Sequence, residues 1–133
     1  MREPIRLGLA RVRGTSMLPT LRDGDRLLVA YGLRPRPGRL VLCQLPPDTD
    51  GVPRPLAVKR LIGPAPGPRA PYGVRWGSSA QDRGWWVERD NPAEGVDSWL
   101  VGALPDDAIR AAVLARLPRR PGLLRYAGRH ERE

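Results

Sequence analysis

Apolar and polar residues alternate over short runs, and proline or glycine cuts each run off before it becomes long. Ile5, Leu7 and Leu9 alternate with Arg6, Gly8 and Ala10, which predicts a strand over residues 5–12. Residues 14–21 read as a turn-like segment, because Pro19 forbids a regular strand interior. Arg22-Asp23-Gly24-Asp25 is a tight turn leading into a strand over 26–30. After a proline-rich loop, a strand is expected over 38–44, an exposed loop over 46–55 and another strand over 56–62. Residues 64–71 form an extended, semi-rigid connector of alternating prolines, and 72–76 is expected to pair with 84–89 as a hairpin. Beyond Pro105 two readings stay open. Ile109, Ala111, Val113, Ala115 and Leu117 fit a period of two, whereas Asp106-Asp107 before an alanine-rich run marks a helix start.

Composition reinforces this pattern. The 133 residues include 15 glycines and 16 prolines, which favours short strands joined by turns over long helices. The expected fold is mainly β: a single small domain of short antiparallel strands with little helix. Residues 1–104 would form its core, with 105–133 a strand or helix and a basic tail packed on or trailing the same domain. Phenylalanine is absent, so the four tryptophans carry most of the aromatic bulk. Trp85 and Trp86 are neighbours on a strand, so one is expected in the core and the other at the surface. No apolar run approaches a membrane span, and Arg6, Arg11 and Arg13 break up any signal-peptide core, so a soluble, cytoplasmic protein is expected.

The chemistry-bearing residues are few. Cys43, alone of its kind, excludes an internal disulfide and is expected as a buried, inert thiol. The one histidine, His130, lies in a polar C-terminal tail, so neither a His-dependent hydrolase nor a metal site is expected, and no cofactor. Of 23 basic residues, 22 are arginine and one is Lys59. Arginine keeps its proton near neutral pH, but a desolvated lysine can lose it. In the 56–62 strand, Ala57, Lys59 and Leu61 share one face and Leu56, Val58, Arg60 and Ile62 the other. Both same-face neighbours of Lys59 are apolar, which would strip water from its amine and turn it into a base.

Three segments give this lysine a context. Val12-Arg13-Gly14-Thr15-Ser16-Met17-Leu18-Pro19-Thr20-Leu21-Arg22-Asp23-Gly24-Asp25 resembles the nucleophile segment of the type I signal peptidases. Val58-Lys59-Arg60-Leu61-Ile62-Gly63 resembles their general-base segment. Trp86-Val87-Glu88-Arg89-Asp90-Asn91-Pro92 with Val96-Asp97-Ser98 resembles their third segment in a degraded form. The resemblance implies the catalytic fold of that family and a Ser/Lys dyad, with Ser16 as nucleophile, Lys59 as general base and the Ser16 backbone N–H as an oxyanion donor. It also implies that Met17 and Pro19 shape the turn presenting the hydroxyl. Asp97 is expected to pair with Arg60 and brace the lysine strand. The family's serine that bonds the base falls at Gly95 and its closing arginine at Trp99, so Ser98 or a backbone carbonyl would have to stand in. Gly14 occupies a position where some members carry a second oxyanion serine, and Arg89 stands where the family usually has glycine.

The short format, without anchors or a large inserted subdomain, is similar to the nickel-type superoxide dismutase maturation proteases. The implied partner is a precursor protein whose short N-terminal leader is removed. Two other readings compete. One is a self-cleaving repressor-type peptidase, disfavoured because only about fifteen residues precede Ser16. The other is a catalytically weakened homologue acting as a binding module through the arginines from Arg110 onward. No stacking aromatics accompany those arginines, so no nucleic acid is expected, and a membrane surface would feel at most weak contact from the basic tail.

Overall fold

The computed structural model describes residues 4–34, 36–65 and 84–118. Among these, six strands form one antiparallel sheet: β1 (Arg6–Arg11), β2 (Arg26–Tyr31), β3 (Leu40–Cys43), β4 (Ala57–Pro64), β5 (Trp85–Glu88) and β6 (Ile109–Arg116). The spatial order is β1-β2-β6-β3-β4-β5. The only helical pieces among the described residues are one turn of α-helix, α1 (Ser98–Val101), and a 3-10 turn over Asp106–Ala108. The fold is mainly β. No helix of the described residues is long and apolar enough to cross a membrane.

The ambiguity after Pro105 resolves in favour of a strand. Asp106 and Asp107 start a single 3-10 turn, and the chain then enters the sheet between β2 and β3. Ala111 and Ala112 pair with β2 on one side and β3 on the other. Two flanking strands satisfy both edges of this backbone, which outweighs the intrinsic helix propensity of alanine. Bulges at Leu28/Val29 and Leu42/Cys43 adjust its register to both neighbours.

Alternation sets the core. On β3, Val41 and Cys43 join a cluster with Leu45, Leu61, Val87 and Leu104, whereas Leu42 joins one with Met17, Leu27, Val29, Val58 and Val113. Apolar packing therefore covers both faces of the sheet at its centre. Edge strand β1 differs: Leu7 and Leu9 are 65% and 69% exposed, and its inward positions are the small residues Gly8 and Ala10. A side chain at Gly8 would meet the Tyr31 ring at 2.9 Å, and that ring carries the Arg6 guanidinium on its face, 5.5 Å from the centroid.

The tryptophan pair divides as its alternation requires. Trp86 is buried, and half-buried Trp85 reaches Asp106 Oδ1 with its indole N–H at 2.8 Å. Strand β5 pairs with β4, while the hairpin partner expected at 72–76 and nearly all of the proline connector lie outside the described residues. So do His130 and the tail arginines from Arg119 onward.

Candidate active site

Ser16 lies in the loop between β1 and β2, and that loop is tied down from several sides. Val12 N–H donates to the Asp25 carbonyl and Gly24 N–H to the Val12 carbonyl, closing the loop at its base. Gly14 N–H donates to Asp23 Oδ1 at 2.7 Å, and Arg22 N–H to Asp25 Oδ2 at 2.8 Å. Within the loop, Leu18 N–H donates to the Thr15 carbonyl and Leu21 N–H to the Met17 carbonyl. Met17 is buried in the core, so its side chain anchors the turn that lifts Ser16. Pro19 is exposed in the same turn. The Ser16 N–H makes no hydrogen bond among the described residues.

Lys59 sits on β4 directly opposite Val41 of β3, with buried Leu61 and half-buried Ala57 beside it on the same face. It is only 3% exposed. Although 43 positions separate them in the chain, Lys59 Nζ and Ser16 Oγ share a 2.7 Å hydrogen bond. Burial lowers the Lys59 pKa from its ordinary value, and the Arg89 charge acts in the same direction, while the Asp97 charge opposes them. The Cys43 thiol is itself pushed up to about 12 by burial, so it stays neutral beside the amine. A neutral amine can accept the hydroxyl proton, and among the described residues Lys59 is the base hydrogen-bonded to the Ser16 hydroxyl.

Residues 89–98 close the other side of the site. Asn91 N–H donates to the Ser16 carbonyl at 2.9 Å and Asn91 Nδ2 to the Thr15 carbonyl at 2.8 Å. Asp90 receives Arg60 Nε at 2.9 Å and Nη2 at 2.7 Å, accepts from the Thr20 hydroxyl, and offers its own N–H to Met17 Sδ at 3.4 Å. Arg60 holds the Asp90 carboxyl below the usual range. Asp90 thus links β4 to the turn that carries Ser16.

Two expectations need correction. Arg60 pairs with Asp90, and Asp97 pairs with Arg89 at 3.1 Å. The reason is alternation: Arg60 points away from the Lys59 face, and its register opposite Glu88 brings it next to Asp90. Ser98 does not support the lysine; its Oγ accepts the Val87 N–H at 2.9 Å, which fixes α1 to β5. Asp97 caps α1 through the Trp99 N–H and also accepts the Arg89 N–H. Trp99 stands edge-on to Trp86, and both indoles donate to Glu88 Oε2.

Gly95 has φ +106°, and a Cβ there would collide with Ser16 Cβ. Only glycine lets this backbone approach Ser16 so closely. Asn91, which pins the Ser16 backbone, and Asp90 were visible in the sequence only through the family pattern; their polar character in a turn carries no mark of a partner some seventy positions away.

Ser16 and Lys59 open into a cavity of about 420 Å³ lined also by Val12, Met17, Leu42, Leu56 and Val58. A larger cavity of about 870 Å³ adjoins it across Leu45 and Arg54, but it contains neither reactive group. The smaller cavity is the one that holds both the Ser16 hydroxyl and the Lys59 amine. No protein-family model matches the chain, and no curated protein is significantly similar to it.

Proposed function

We propose that this chain is a serine endopeptidase with a Ser16/Lys59 dyad, related in mechanism to the type I signal peptidases. The observation that carries the reading is the 2.7 Å bond between a hydroxyl and the amine of a buried lysine. Neutral Lys59 takes the Ser16 proton as Oγ attacks the scissile carbonyl carbon. The developing oxyanion is met by the Ser16 N–H, which donates to no acceptor among the described residues. Protonated Lys59 then gives its proton to the departing amine, leaving an acyl-enzyme. A water molecule, deprotonated by Lys59, attacks the ester, releases the carboxylate product and restores the hydroxyl.

The substrate we favour is a precursor protein with a short N-terminal leader, and a nickel-type superoxide dismutase precursor is the first candidate. Met17, Arg60, Asp90 and Asn91 support the geometry and stay out of the bond changes. Incubating the purified chain with that precursor should yield one cut, seen as a single mass loss from its N-terminus. S16A should leave the precursor intact. Cleavage by S16A would overturn the dyad, and an intact precursor with the wild-type chain would overturn the substrate. Loss of mass from the protease itself would point to self-cleavage.

A further inference from the structure

Arg89, at the end of β5, is the charged residue that meets both partners of the dyad's surroundings. Its aliphatic stem passes 3.4 Å from where a Cβ at Gly95 would lie, and that same point abuts Ser16. Its guanidinium spans the loop that follows. Nε donates to the Asn91 carbonyl at 2.9 Å, Nη2 donates to the Pro92 carbonyl at 3.1 Å, and Nη1 pairs with Asp97 Oδ1 at 3.1 Å. Asn91 in turn holds the Ser16 and Thr15 carbonyls. Removing this fork would release the 91–95 loop and, with it, the close approach of Gly95 to the nucleophile.

The fork also sets the charge around the base. Ser16 from the nucleophile turn bonds the Lys59 amine, Glu94 lines the cavity they share, and Cys43 from β3, Asp97 before α1 and Arg89 just after β5 are the nearby groups whose charge would bear on it. Cys43 is neutral, and Arg60 lies on the opposite face of β4. Among the described residues Asp97 is the buried acid whose charge favours the protonated amine, and it is 2% exposed, whereas Glu94 lines the same cavity but is exposed. Arg89 neutralises it with an ion pair and a backbone N–H.

We propose that Arg89 is a positioning residue for the dyad: its guanidinium clamps the 91–95 loop against Ser16 and cancels the Asp97 charge beside Lys59. This rests on Lys59 serving as the base, and the test separates the two ideas. Because Lys59 is the chain's only lysine, protein grown on [ε-13C]lysine gives one amine resonance to titrate. In the wild type it should titrate below the ordinary lysine range. R89Q should move that titration upward, because Asp97 is left uncompensated, and D97N should move it downward. R89K, which retains the charge, should keep Lys59 near its wild-type behaviour. Precursor cleavage by R89Q should fall most at neutral pH and recover as pH rises. A purely structural role would expose the amine in both R89Q and D97N and raise both titrations. That result, or a Lys59 resonance unmoved in R89Q, overturns the proposal and leaves the base in place. A wild-type resonance in the ordinary range overturns the base itself, and the Arg89 role with it.

Discussion

Lys59 and Arg60 are neighbours on one strand, and the sheet treats them in opposite ways. Lys59 points into the packed face and meets a hydroxyl. Arg60 points the other way, with a side chain 33% exposed, and meets a carboxylate through two of its nitrogens. Burial makes the lysine a weaker holder of its proton, while Asp90 makes the arginine a stronger one. One residue of offset along β4 therefore separates a reactive cation from a bracing one. Residue type reinforces the division, since a guanidinium suits a forked carboxylate and an amine suits proton transfer.

The largest way to break this contrast is to make both residues alike. K59R should lower peptidase activity by about 100- to 10,000-fold, because the guanidinium cannot accept the Ser16 proton. It should also cost about 3 kcal/mol in urea denaturation, since the buried site has no carboxylate bonded to the side chain. K59M should be equally inactive yet at least as stable as the wild type at pH 7. Its stability should also lose a pH dependence. The folded Lys59 pKa is depressed, so the unfolded chain binds the extra proton. Wild-type stability therefore rises with pH between the folded value and the ordinary 10.5, and the burial penalty is complete below that window. A K59M curve parallel to the wild type across that range would contradict a dehydrated amine.

A smaller effect tests the bracing side. D90N should cost about 1–2 kcal/mol and lower activity, because Arg60 keeps its charge without a counterion and Thr20 loses its acceptor. The wild-type advantage over D90N should be present above the ordinary carboxylate pKa of 3.8 and fade as pH falls below it, since the folded Asp90 value is depressed. Equal stabilities at neutral pH would mean the pair braces nothing. The smallest effect is expected of R60K, which keeps a charge near Asp90 but loses the fork: below about 1 kcal/mol, with activity largely retained. A collapse of activity in R60K would place Arg60 in the chemistry.

How far the sequence foretold this arrangement depends on the range of each interaction. The two faces of β4 were legible because a period of two is local, and so were the turn around Ser16 and the opposed tryptophans at 85 and 86. The partners of Arg60 and Asp97 were not legible. Which carboxylate meets which arginine is set by the β4–β5 register and its bulge at Leu61/Gly63, and nothing within either segment encodes that alignment. The fate of residues 109–116 was likewise undecidable locally, because alanines that would suit a helix become strand once two edges await them. Arg89 and Gly95 read as isolated departures from a pattern, yet in space the stem of one lies against the backbone of the other, so their meaning is joint.

The place of β6 in the sheet has a consequence for biosynthesis. The hairpin that leads into and out of the Ser16 loop has no ladder to β3 or β4; β6 stands between the two hairpins and bonds β2 on one side and β3 on the other. A nascent chain that has emerged only as far as Val101 carries Ser16 and Lys59 on two hairpins with no strand between them. The ladder that joins the Ser16 hairpin to the Lys59 strand is therefore complete only once residues 109–116 are in place.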